Sequence, residues 1–206
     1  MCARRFPLAL GAAALIGGCG GSSRPSTPSS AASEAAPSSV SPAAVAGSFG
    51  WLHTSAPTPG WPRATLAHGR ASAAYSPAWA AIRTDPGTAT VALLGPRRAI
   101  LGYLNLTPRQ GGETMANWAV FRLHHNAKEG DRAVLKEASA RGLVFPSGAR
   151  GSCVVDRYAT STTRYREIAC LAGAGRRTTV VVAAAPLGEW ATQASTLRRE
   201  IASLRV

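Results

Sequence analysis

Two runs of strand-forming residues, Gly151 to Tyr158 and Tyr165 to Leu171, flank the polar segment Ala159 to Arg164, and nothing else in the chain restricts its fold as tightly. The layout is that of a β-hairpin. Cys153 and Cys170 lie equally far from the turn centre between Ser161 and Thr162, so a symmetric hairpin sets them opposite each other. A non-hydrogen-bonded cross-strand pair brings Cβ atoms close enough for a disulfide. The same register opposes Asp156 to Glu167 and Arg157 to Arg166. Like charges so placed destabilise a pair. Either a bulge shifts the register near the turn, or diagonal Asp156–Arg166 and Arg157–Glu167 contacts compensate.

Around this hairpin the chain reads as further short strands and two helices. Thr178 to Ala184 is an almost unbroken β-branched and apolar run stopped by Pro186 and Gly188, the pattern of a central strand buried on both faces. Glu189 to Leu204 places Trp190, Ala194, Leu197, Ile201 and Leu204 on one helical face and Arg198, Arg199 and Glu200 on the other. Upstream, Ala71 to Tyr75, Trp79 to Ile82, Thr88 to Leu94 and Ala99 to Leu106 are separated by Pro- and Gly-containing turns, which suits an antiparallel meander. Glu113 to Asn126 reads as a helix, acidic at its start, with Trp118, Phe121 and His125 packing on the sheet. Asp131 to Ala140 suits either a short helix or an edge strand. The expected fold class is therefore α+β, an antiparallel sheet with packed helices.

The N-terminal part predicts an address. Arg4 and Arg5 precede an apolar run from Phe6 to Ile16 that is too short to span a bilayer, the layout of an export signal. Leu15-Ile16-Gly17-Gly18-Cys19 reads as a lipoprotein cleavage box, making residues 1–18 a signal peptide and Cys19 the acylated residue. Of the residues from Gly20 to Gly47, all but Arg24, Glu34, Val40 and Val45 are Gly, Ser, Ala, Pro or Thr. Such a segment is a disordered tether with a reach of about 30 Å. The tether is placed at 19–60 and the folded domain at 61–206, although aromatics return from Phe49 onward. The expected location is the outer face of the cytoplasmic membrane. Cys2 leaves with the signal and Cys19 takes lipid, so Cys153 and Cys170 remain to pair in an oxidising compartment.

The 23 Lys+Arg exceed the 10 Asp+Glu, a formal charge of +13 that falls to +11 when Arg4 and Arg5 depart. An export signal argues against nucleic acid as the partner and leaves anionic lipid, wall polymer or an envelope protein. The scarcity of lysine beside abundant Ala and Gly equally suits a GC-rich genome and a solvated surface. Candidate contacts are Arg97, Arg98, Arg157, Arg164, Arg166, Arg176 and Arg177.

Common active-site patterns are missing. The chain has no Gly-x-Ser-x-Gly and no phosphate-binding Gly-x-x-x-x-Gly-Lys, and His124 and His125 are adjacent rather than four apart. No cofactor and no metal ligand set is therefore expected. An acid–base dyad could arise from Asp156 and Glu167, joined by His124, if the hairpin brings the carboxylates together.

Several stretches form a familiar set: Tyr75-Ser76-Pro77-Ala78-Trp79, Gly102 to Pro108, Glu113-Thr114 with Asn117-Trp118, Gly151-Ser152-Cys153-Val154, and Glu167-Ile168-Ala169-Cys170. Together they resemble actinobacterial envelope lipoproteins with a PsbP-like domain, over about residues 61 to 206. The resemblance implies an antiparallel sheet with packed helices and a non-catalytic role in binding or assembly. It supplies no catalytic residue. The alternatives are an envelope hydrolase working through Asp156, Glu167 and His124, and a structural adaptor with a flat surface.

Overall fold

The computed structural model describes residues 48–56, 59–67 and 71–206, apart from the side chain of Arg176. The signal peptide, the cleavage box, Cys19 and most of the expected tether lie outside the described residues. In chain order the elements are α1 (Trp51–Thr54), β1 (Arg63–Thr65), β2 (Ser72–Ala74), β3 (Ala80–Ile82), β4 (Ala89–Leu94) and β5 (Ile100–Pro108). There follow α2 (Trp118–Lys128), β6 (Arg132–Val144), β7 (Arg150–Ala159), β8 (Arg164–Ala172), β9 (Thr179–Pro186) and α3 (Trp190–Ala202).

Seven strands form one antiparallel sheet in the order β3-β4-β5-β9-β8-β7-β6. Strand β9 is the middle one, and Thr179 to Ala185 are buried throughout. A strand covered on both faces needs apolar side chains at odd and even positions alike, which explains the unbroken apolar run. Helix α3 lies on one face with Leu197, Ile201 and Leu204 fully buried, alongside Leu104, Leu106 and Ile168 of the sheet. Helix α2 lies on the other, where Trp118 packs with Val154, Ala169, Leu171, Val180 and Val182. The Trp118 indole N–H donates to the Ala169 carbonyl at 2.9 Å, so its one polar atom is satisfied inside the sheet face.

The β7–β8 hairpin keeps the symmetric register along its whole length: Cys153 faces Cys170, Asp156 faces Glu167 and Arg157 faces Arg166, with no bulge. Cys153 and Cys170 are disulfide-bonded and fully buried. The bridge closes a segment of 17 residues by sequence separation, for which the chain-entropy estimate is about 3 kcal/mol. Replacing both cysteines with alanine is expected to lower unfolding free energy by about that amount in urea; an unchanged midpoint would show that the hairpin is already closed in the unfolded chain.

Three features differ from the sequence expectation, and one alternative left open there is decided. Strand β2 pairs with β1 in a separate two-stranded ribbon instead of starting the meander. Its small residues Ala73 and Ala74 are buried, and the ribbon lies on the C-terminal end of α3: the Ser203 hydroxyl accepts the Ala74 N–H at 2.7 Å, and the Arg63 guanidinium donates to the Ser203 carbonyl at 3.0 Å. Helix α2 begins later than Glu113, because Glu113 is buried and its carboxylate accepts the backbone N–H groups of Gln110 and Gly111. Thr114 and Asn117 then exchange side-chain and backbone hydrogen bonds at 2.7 and 3.1 Å, fixing a turn ahead of the helix. Of residues 131–140, open between helix and strand, all but Asp131 belong to edge strand β6 (Arg132–Val144). Its pairing with β7 is interrupted by register shifts between Arg132 and Leu135, Lys136 and Ala138, and Ala140 and Leu143. Finally, Phe49 and Leu52 are buried in the main core, ahead of residue 61 where the domain was expected to begin.

Candidate ligand cleft

Helix α2 lies against β6, β7 and β8 but leaves the same sheet face open over β3, β4 and β5. The result is a cleft of about 380 Å³ between the helix and the β3–β4 edge. Alternation along each strand decides what lines it. Thr90, Asn105 and Val182 lie side by side in register, so each projects from this face. The floor is a chain of hydrogen bonds: Asn105 donates to the Thr90 hydroxyl at 2.6 Å, Thr90 meets Thr84 at 2.7 Å, and Thr84 meets Thr88 at 2.9 Å. Such mutual bonding holds the groups in place before any ligand arrives, which lowers the ordering cost of binding. Ile82, Ile100 and Val180 add apolar patches, and Arg122, His125 and Glu129 line the α2 side.

Beneath α2, beside the cleft, lies the buried charge cluster that the hairpin register creates. Asp156 and Glu167 are both fully buried. Arg122 forms a bidentate pair with Glu167 at 2.6 and 2.9 Å. Burial opposes the charge on Arg122, but the adjacent Glu167 more than offsets this and raises its pKa. Asn126, one helical turn on, donates to Glu167 at 3.4 Å. Neither oxygen of Asp156 has a hydrogen-bond partner among the described residues. Burial, reinforced by the Glu167 carboxylate, pushes Asp156 up to about 8, so it is largely protonated at neutral pH. Tyr103 and Tyr158 close the cluster with a 3.0 Å hydroxyl contact, and burial raises both phenols.

The expected dyad is therefore present as a pair, with both carboxylates buried beneath α2. His124 does not join it, being exposed on the outer side of α2. The residues that do join, Arg122 and Asn126, were missed by the sequence reading. The helical stripe Trp118–Arg122–Asn126 would have revealed them, since residues four apart share a face.

The arginine candidates do not all converge on one face: Arg157 and Arg166 meet at Glu137, and the others lie apart. Arg97 and Arg98 in the β4–β5 turn and Arg164 at the start of β8 are exposed at one end of the sheet. Arg177 is exposed at the opposite end, in the β8–β9 turn. Arg157 and Arg166 are only partly exposed and both bind Glu137, at 2.5 and 2.6 Å. They are ion-paired rather than free, a correction to the expectation of open contacts. The side chain of Arg176 and the whole of Cys19 lie outside the described residues. Among those residues, no group of three or more His, Cys, Asp or Glu side chains is placed to hold a metal ion.

No family model matches the chain, and no curated protein matches it. Solved structures of similar shape exist. The cyanobacterial PsbP protein CyanoP of Synechocystis is 13% identical with a TM-score of 0.48, over 70% of this chain and 91% of that one. PA94 of Pseudomonas aeruginosa, a protein of unknown function, is 11% identical with a TM-score of 0.47, over 71% and 96%. A Bacteroides thetaiotaomicron protein is 15% identical with a TM-score of 0.41 over 67% of this chain; the match spans 45% of that protein's length, less than half. At these identities no residue role passes from one chain to another.

Proposed function

We propose that this chain is an exported lipoprotein with a PsbP-like domain that works by binding rather than catalysis, and that the cleft beside α2 holds a small polar ligand. The observation that carries the reading is the open sheet face over β3, β4 and β5, where Asn105, Thr90, Thr84 and Thr88 form a fixed row of polar groups inside a cleft of about 380 Å³. Clefts of this size are the usual form of a small-molecule site, and the mainly polar lining suits a polar ligand. The sealing of Asp156 and Glu167 weighs against the hydrolase alternative. The cleft weighs against a flat adaptor. The Cys153–Cys170 disulfide supports an extracytoplasmic location, and the Leu15 to Cys19 box supports lipid anchorage. Arg97, Arg98 and Arg164 would then face anionic lipid, wall polymer or an envelope protein from one end of the sheet.

Native and denatured mass spectra of the gently extracted full chain test the reading. A mass excess over the acylated chain that vanishes on denaturation is expected, and Asn105→Leu with Thr90→Val should remove it. A native mass equal to the acylated chain alone would count against ligand carriage. Loss of detergent partitioning in Cys19→Ala tests the anchor separately.

A further inference from the structure

The opposite face of the sheet carries a second pocket, of about 280 Å³, bounded by Trp51 of α1, Trp190 and Arg198 of α3, and Glu137, Arg166 and Ile168 of the sheet. Its electrostatics come from the second like-charge pair of the hairpin. Arg157 and Arg166 face each other across β7 and β8, and both reach the single carboxylate of Glu137. Arg166 lies 4.8 Å from the centre of the Trp190 ring, which holds the guanidinium against an aromatic plane. Arg198, exposed on α3, adds a third cation at the rim. Two guanidinium groups thus share one carboxylate, and Arg198 stands at the rim of the same pocket.

The position of Glu137 makes it a displaceable counter-ion. It is the extra residue in the register shift between Lys136 and Ala138. A bulged residue stands outside the regular ladder, and bulges commonly re-aim a side chain at a neighbouring site. Swinging Glu137 outward therefore costs no strand register, whereas it uncovers two arginines already held apart by the hairpin and by Trp190. Guanidinium forks pair bidentately with phosphate oxygens, and a phosphate offers more acceptor atoms to converging arginines than one carboxylate does.

We propose that this pocket between Trp51 and Trp190 binds the phosphate group of an anionic ligand through Arg166 and Arg198, which line it, and through Arg157, which reaches the position that Glu137 occupies when no ligand is bound. The site is separate from the cleft beside α2, and each can fail without affecting the other.

Titration of the folded full chain with inorganic phosphate, followed by calorimetry and phosphorus NMR, tests this. Removing the internal competitor with Glu137→Gln is expected to tighten phosphate binding about tenfold. A Glu137 that serves only as structural neutraliser predicts no gain. Arg198 forms none of the ion pairs among the described residues, so Arg198→Gln should weaken binding about tenfold with an unchanged thermal midpoint. If Glu137→Gln fails to fold, Arg198→Gln decides alone. Wild-type affinity in Arg198→Gln, or a folded Glu137→Gln that binds no tighter, overturns the proposal. Vesicles of phosphatidylglycerol, with phosphatidylcholine as baseline, separate the sources. Capture that Arg198→Gln abolishes assigns the phosphate to a lipid headgroup; phosphate binding without vesicle capture assigns it to a soluble phosphate compound. Binding in neither format refutes the site.

Discussion

Asp156→Asn is expected to be more stable than the wild type, by a margin that widens by about 4 kcal/mol between pH 5 and pH 8. The unfolded chain releases the Asp156 proton near the ordinary carboxylate value of about 3.9, whereas the folded chain keeps it to about 8 because the group is buried beside Glu167. Between those limits the unfolded state binds fewer protons than the folded state. Wild-type stability therefore falls as pH rises, by about 1.4 kcal/mol per unit for this group, and levels off above the folded value. Asparagine keeps the shape and cannot ionise. Glu200 is a second acid of the same kind: it is fully buried, accepts only the Ser76 N–H at 3.3 Å among the described residues, and is raised by burial to about 8. Asp156→Asn should thus remove one such declining contribution, and Glu200→Gln another. Urea denaturation of the three chains across pH 4 to 9 measures this. Parallel curves would mean that Asp156 finds a partner or water in solution.

Arg122→Met is expected to cost about 3–5 kcal/mol, among the largest losses from any single change to this chain. The reason is what it leaves behind. Glu167 is fully buried and pairs with Arg122 at 2.6 Å, so removal of the guanidinium leaves the carboxylate without its ion-pair partner beside Asp156. A second substitution, Glu167→Gln, should recover most of the loss, because the cost lies in the unpaired charge rather than in missing contact. Denaturation at neutral pH checks both chains. A loss below about 1 kcal/mol in Arg122→Met would mean that Glu167 reaches solvent.

The hairpin was legible in full, because strand side chains alternate with a period of two and arms of equal length leave one symmetric register. The same reading exposed the like-charge problem at Asp156–Glu167 and Arg157–Arg166 without its solution. Neither a bulge nor a diagonal contact resolves it. The compensating charges come from other elements, Arg122 from a helix and Glu137 from the neighbouring strand, and no local pattern announces which distant residue will sit over a given pair. Strand β9 and helix α3 were readable because each buries a long, regular apolar set. The β1–β2 ribbon was not, since three-residue strands of Ala, Ser and Thr carry no periodic signal. Glu113 misled for a physical reason: an acid ahead of a helix commonly complements its dipole, whereas here it ties down the loop before it. The cleft follows from how far α2 reaches across the sheet, a tertiary property that α2's own sequence does not encode.

The interruptions along β6 bear on how such chains live side by side. Every open sheet ends in two strands whose outer N–H and C=O groups could recruit a strand from a neighbouring molecule. At one border the hazard is limited by brevity, since β3 has only three residues. At the other, β6 is 13 residues long, and three breaks in its register with β7 bend it away from a straight template. Molecules at high local concentration would otherwise risk growing into a continuous sheet. The irregularity that places Glu137 between two arginines also keeps the long border from acting as a seed for aggregation.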